Sequence, residues 1–275
     1  MNRLPIEKRA QIIGLMVEGM SMRAVSRIIG CSINTVTKLL EEIGFACNMY
    51  QSEHLRNLQC KRIQCDEIWA FCYSKERNVS LENKGVLGHG DVWTWTAIDA
   101  DSKLMVSYLV GKRDADYALT FMTDIAGRLA HRVQLTTDGH APYLNAVGDA
   151  FGPEIDFAML VKHYGAGSMT DQRRYSPAHL ISAEQRPING NPEQKHISTS
   201  FVERQNLTMR MGMRRFTRLT NGFSKKVENL EHAVSLHFMH YNFARIHKTL
   251  RVTPAMEAGL TDHVWSLEEI AALAE

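Results

Sequence analysis

No C-x-x-C pair occurs in this chain. Its five cysteines, Cys31, Cys47, Cys60, Cys65 and Cys72, have no partner histidines at zinc-finger spacing, which excludes a structural zinc site of the familiar kind. An odd cysteine count, and a start "MNRLPIEKRA" without a secretory apolar core, predict reduced thiols in a cytoplasmic protein. No apolar run approaches the roughly 20 residues that span a bilayer, so no membrane partner is expected. Internal repeats and low-complexity tracts are missing as well, which excludes a solenoid. Net charge is nearly absent: 32 Lys/Arg against 30 Asp/Glu leave +2, and the average names no partner.

What is present is a chain of 275 residues, 44% hydrophobic and 23% charged, long enough to bury a substantial core. Residues 1–46 read as three short helices. Pro5 opens "PIEKRAQIIGLMVEG", whose Ile12, Ile13, Leu15 and Met16 form a helical stripe. Ser21 caps "MRAVSRIIG", which Gly30 ends. Ser32 caps "INTVTKLLEEIG", with Val36, Leu39 and Leu40 facing inward. Two short helices, a tight turn at Gly30 and Cys31, and a capped helix with a polar start match a helix-turn-helix. That geometry presents Asn34, Thr35 and Lys38, with the cap Ser32, to a DNA groove; a generic three-helix bundle is the plain alternative. Residues 47–61 read as a linker or connecting helix.

Beyond residue 61 the texture turns to strands. "RIQCDEIWAF", "DVWTWTAIDA" and "KLMVSYLVG" follow one another at short spacing, which predicts an antiparallel meander. Then come a helix capped by Asp114, a buried strand "RVQLTTDGH", a helix opened by Pro142, and the strand "IDFAMLVKHYG". Residues 165–198, rich in Gly, Ser, Pro, Asn and Gln, read as an irregular connection before helices resume at Thr199 and Ser224. The order is that of an α/β, ribonuclease H-like core over residues 62–250, a mixed five-stranded sheet with flanking helices. An all-α helix-turn-helix domain precedes it and a tail, 251–275, follows.

Three acids sit at telling places on this scaffold. Asp66 lies within the first strand, Asp138 at the carboxyl end of the fourth, and Glu203 in the first turn of the late helix. Strand ends are where open α/β sheets collect ligands. Carboxylates gathered there repel one another, and two Mg²⁺ would compensate them while serving phosphoryl displacement. Each acid also has an ordinary reading. Asp138 precedes Gly139 and could start a turn; Glu203 suits a helix N-terminus. Glu67 competes with Asp66, but strand alternation sends the two to opposite faces, and Asp66 is preferred. Asp99 is assigned to the hairpin between strands two and three.

Charge is concentrated late in the chain. From Arg204 to Arg251 there are ten Lys/Arg against two Glu, the footprint expected for a polyanion partner, although a solvated helix face has the same composition. Met209, Met211 and Met213 interleave with the arginines as packing residues. His237, His240 and His247 read as structural or DNA-facing groups.

The stretches "IQCDEIWAF", "LTTDGH" and "FVERQNLTMRMGMRRFTRLTNGFSK" resemble the three catalytic blocks of DDE transposases of bacterial insertion sequences, most closely the insertion-sequence-one family. There the glutamate block reads E-R-x-N, then basic residues, then Phe-Ser-Lys/Arg. Here it is Glu203, Arg204, Gln205 and Asn206, followed by Arg210, Arg214, Arg215 and Phe223-Ser224-Lys225. The tail "HYNFARIHKTLRVTPAMEAGL" is similar to the segment that ends many related transposase and integrase cores. The resemblance implies that Asp66, Asp138 and Glu203 are the catalytic metal ligands for two Mg²⁺, with Mn²⁺ able to substitute. It implies DNA contact by Arg204, Asn206, Arg210, Arg214, Arg215 and Arg218. The partner implied is double-stranded DNA, both transposon ends and target, handled by a homodimer or larger assembly at the bacterial nucleoid. The chain departs from the family in lacking an N-terminal zinc element, which leaves end recognition to the helix-turn-helix. Glu184 and Glu193 are alternative third acids outside the matching block. Two other functions suit the same residues: a nuclease of the same fold that hydrolyses without joining, and a DNA-binding regulator with a degenerate core.

Overall fold

A computed structural model describes residues 3–165, 180–217 and 221–275. The chain is a mixed α/β protein whose N-terminal helices lead into a six-stranded sheet. Helix α1 covers Ile6–Val17, α2 Met22–Ile29 and α3 Ile33–His54. The caps fall where the side chains predict them. Ser21 Oγ accepts from the Ala24 amide and Ser32 Oγ from the Asn34 amide, each at 3.2 Å. Gly30 ends α2 in the left-handed region at φ 69°, which a glycine adopts without a Cβ penalty.

Helix α3 does not stop at the expected boundary. It continues to His54, through most of the segment read as a linker or connecting helix, which makes the connection helical and buries Cys47 and Gln51. Gln51 donates to the Ser235 carbonyl (3.2 Å) and to the Tyr108 hydroxyl (3.1 Å). The physical reason is that α3 lies on the later helix α7, Val227–Met239, and the packing recruits residues whose own pattern is weak. The two helices approach closely at Gly44, where a Cβ would stand 2.5 Å from the His232 Cα.

The strands are β1 Arg62–Cys72, β2 Gly90–Asp99, β3 Met105–Gly111, β4 Gln134–Thr137, β5 Asp156–Tyr164 and β6 Leu180–Asn189. They lie in the order β3-β2-β1-β4-β5-β6. The meander β1–β2–β3 is antiparallel, β4 and β5 continue parallel to β1, and β6 returns antiparallel to β5. β6 corrects two expectations: the sheet has six strands, and the segment 165–198 holds a ten-residue strand. Its residues from Leu180 to Ile188 are solvent-exposed, so no alternation marks them; backbone pairing to β5 alone makes the strand.

Helices α4 (Ala115–Ala126) and α5 (Pro142–Phe151) cover one sheet face, where Trp95 packs against Phe121 and Tyr143. Helices α6 (Ser200–Gly212) and α7 cover the other, where Tyr108 meets Phe238 and Asn206 meets β1 and β2. The C-terminal residues fold back: α8 (Pro254–Glu257) precedes α9 (Leu267–Ala272), which packs on α1. There the buried Arg9 donates to the Ala271 carbonyl at 2.8 Å. Among the described residues no helix is long and apolar enough to cross a membrane.

Candidate metal centre at the carboxyl edge of the sheet

Strand register brings the two aspartates together. Gln64 of β1 stands opposite Thr136 of β4 in parallel pairing. Asp66 and Asp138 each follow two residues later, so both reach the same level on the same edge. β4 ends at Thr137, and the space beyond it admits a third carboxylate from β1. Oxygens of Asp66, Glu67 and Asp138 lie within 4.8 Å of one another. Glu67, set aside on the grounds of alternation, does leave the opposite face; its longer side chain still reaches the Asp138 edge.

Each acid is held differently. Asp66 Oδ2 accepts from Asn206 Nδ2 at 2.9 Å; the Asn206 carboxamide oxygen accepts from Thr96 Oγ1 at 3.2 Å. Glu67 is buried, with its side chain 1% exposed. Tyr143 donates its hydroxyl to Glu67, and Arg113 Nε donates to Oε2 at 2.9 Å. Arg113 also stands 3.6 Å from Asp138 Oδ2, and its guanidinium lies 4.9 Å over the Trp93 ring. Asp138 Oδ1 accepts from the His140 amide at 2.9 Å, the start of the turn that its Gly139 neighbour suggests.

Glu203 stands in the first turn of α6, 44% exposed. Its Oε1 accepts from both Lys162 of β5 and Thr199 Oγ1, and it lies outside the group of three. Glu184 pairs with Arg186 at 2.6 Å and Glu193 with Lys195 at 2.9 Å, both outside it too. Asp99 behaves as a turn residue, its Oδ2 accepting from the Ser102 amide (2.8 Å) and hydroxyl (2.6 Å).

The electrostatics register a surplus of negative charge. Burial, then the charge of Asp138, pushes the Asp66 carboxyl up to about 6. Burial and Asp138 likewise push Glu67 up to about 7, against the lowering effects of Tyr143 and Arg113. Desolvation and like charge both disfavour ionisation, and a cation in their midst would reverse both effects. An all-oxygen, carboxylate-rich donor set is what Mg²⁺ or Mn²⁺ takes; the residues present fit such an ion.

The residues expected to meet DNA are spread over two surfaces. Asn34 and Lys38 are exposed at the start of α3, Thr35 half-buried, and Lys38 lies 3.7 Å from Glu42. Ser32 is the cap described above. On α6 and after it, Arg204 and Arg214 are exposed and Arg210 is half-buried. Arg215 is turned inward, donating to Ser224 Oγ at 2.9 Å with Met22 Sδ at 3.7 Å. Asn206 is buried and committed to Asp66 and Thr96. Met209 and Met213 are buried packing residues while Met211 is 77% exposed; Arg218 lies outside the described residues. His237 is buried in α7.

Sequence reasoning missed Arg113, Tyr143 and Lys162. Lys162 alone left a signal, a cation interrupting the apolar strand "FAMLVKHY". Arg113 and Tyr143 carry no local mark, because their role depends on where β3 ends and α5 begins against β1.

No family model matches the chain, and no curated protein matches it. Solved transposase structures do show a likeness. The Mos1 mariner paired end complex with Mn shares 13% identity over 56% of this chain and 60% of that chain, with a TM-score of 0.24. The piggyBac transposase synaptic complex with hairpin DNA shares 10% identity over 98% and 69%, with a TM-score of 0.45. The Mos1 strand transfer complex shares 12% over 87% and 76%, with a TM-score of 0.25. The chain thus spans about 60% of the length of the Mos1 chain in the paired end complex. At these identities and scores the likeness assigns no residue.

Proposed function

We propose that this chain is a DDE-type DNA transposase that binds the terminal inverted repeats of an insertion sequence and carries out strand cleavage and strand transfer. The observation that carries the reading is the convergence of Asp66 and Asp138 from adjacent parallel strands. The Asn206 face of α6, which also bears Glu203, packs over Asp66 on that same edge. The strand order β3-β2-β1-β4-β5 supports a ribonuclease H-like core, with β6 added at its edge. The matching order of the three sequence blocks adds the reaction class.

Asp66, Asp138 and Glu203 would hold two Mg²⁺, or Mn²⁺ in their place, which neutralise charge on the attacking and leaving oxygens of an in-line phosphoryl displacement. Asn206 orients the Asp66 carboxylate, and Arg113 steadies Asp138 and Glu67. The α2–α3 unit is the end-binding helix-turn-helix, with Ser32, Asn34, Thr35 and Lys38 toward the groove. Arg204, Arg210 and Arg214 contact phosphates, which fix the register of DNA without reading its sequence. Two ends must be held at once, so the working unit is a homodimer or larger assembly.

The test is incubation with Mg²⁺ and duplexes carrying the DNA that flanks the coding sequence, scored for nicked and joined products. Joined products, lost in Asp66→Ala and Asp138→Ala, are expected. Nicking without joining would reassign the chain as a nuclease. DNA binding without either product would make it a regulator.

A further inference from the structure

Among the described residues, Arg113 and Lys162 stand at the carboxylate edge, one on each face of the sheet. Arg113 serves the α5 side, bonded to Glu67 and near Asp138. Lys162 serves the α6 side, bonded to Glu203. The placement of Lys162 follows from β5. Its neighbour Val161 lies beneath the Asp138–Gly139 turn, where a Cβ on Gly139 would stand 3.3 Å from a Val161 methyl. Alternation then turns Lys162 to the opposite face, toward α6. Its side chain is 23% exposed, so its stem lies along the sheet and its ammonium reaches the site.

The same Glu203 oxygen takes Lys162 and Thr199 Oγ1. Glu203 therefore has one oxygen occupied by the protein, and its carboxylate stands apart from the oxygens that Asp66, Glu67 and Asp138 gather within 4.8 Å. A carboxylate cannot give its full charge to an ammonium and to a divalent ion together. Whatever draws Glu203 toward the aspartates frees the Lys162 ammonium beside the carboxylate edge.

Resting on the proposed metal-dependent reading, we propose that Lys162 is a positioning residue for Glu203. It holds this carboxylate in the metal-free protein and passes to a DNA backbone phosphate when Glu203 turns to the metal centre. Lysine suits the exchange, because its ammonium is a compact charge with three donors on a flexible stem.

The exchange predicts effects of opposite sign, which a merely structural contact does not produce. The full-length protein, Lys162→Gln, Glu203→Gln and the double variant are titrated with Mn²⁺ by calorimetry, and thermal melts confirm folding. Lys162→Gln removes the competitor for Glu203, so Mn²⁺ affinity rises by about two- to fivefold, the scale of a half-exposed ion pair. In the Glu203→Gln background the lysine substitution changes nothing. In the cleavage assay Lys162→Gln raises KM for DNA, and Lys162→Arg restores it. Unchanged or weaker Mn²⁺ binding by Lys162→Gln, with the wild type binding normally, overturns the exchange. Absence of Mn²⁺ binding in all four proteins overturns the metal-dependent reading and this inference with it.

Discussion

Asn206 Nδ2 donates to Asp66 Oδ2 at 2.9 Å, a bond between residues 140 positions apart. It ties α6 to the middle of β1 and orients the Asp66 carboxylate. Because the Asn206 oxygen also accepts from Thr96, the carboxamide is oriented from both ends. Asn206→Ala leaves the half-buried Asp66 carboxylate short of a partner, while the Thr96 hydroxyl keeps the Asp66 carbonyl as its acceptor at 3.0 Å. A loss of about 1–3 kcal/mol is expected, together with about 10- to 100-fold weaker Mn²⁺ binding. Urea unfolding and calorimetry measure the two; an unaltered metal affinity would remove Asn206 from the site.

The third acid is decided by comparing Glu203→Gln with Glu67→Gln. Glu67 is bonded to Tyr143 and Arg113, and Arg113 also stands 3.6 Å from Asp138, so the role proposed for Glu67 is to hold that guanidinium beside Asp138. Glu67→Gln is expected to lower cleavage by about 10- to 100-fold, as an outer-shell change does, with Glu203→Gln falling further. The reverse ranking would make Glu67 the ligand.

Gly44 tests the junction between the N-terminal helices and the core. Alanine there gains helix propensity, yet its Cβ meets the His232 backbone at 2.5 Å. The clash wins, because α3 and α7 must separate to relieve it. Gly44→Ala should cost about 1–3 kcal/mol in urea unfolding, the range for overpacking a close interface.

His237 sets an acid limit on stability. Its ring is buried and neither nitrogen has a hydrogen-bond partner among the described residues. Burial, then the nearby His240 and Arg245, lowers it from 6.5 to about 3. A base depressed in the folded state contributes fully above its unfolded value. That contribution is lost as pH falls from about 6.5 toward about 3, by up to about 1.4 kcal/mol per pH unit. His237→Leu should flatten the fall in urea midpoint between pH 7 and pH 5. An unchanged slope would place the acid sensitivity elsewhere, with the similarly lowered His240 next in line.

Local chemistry alone determined a good deal. Ser21, Ser32 and Asp114 start helices because their oxygens satisfy the first free amides, and Gly30 ends one because it bears no Cβ. The apolar runs of β1 to β5 mark strands buried on both faces. Asp66 and Asp138 stand out because a carboxylate inside or beside such a run is costly without a partner. Tertiary structure decided what no local pattern encodes. β6 exists because β5 offers it a ladder, not because its own residues alternate. α3 runs on past the expected domain boundary because α7 receives it. Glu67 joins the aspartates because β4 ends early and leaves room beside β1. Glu203 was legible as an acid among arginines, but its partner was not: Lys162 lies 41 residues away. Only the register of β5 against β4 and the seat of α6 bring the two charges into contact.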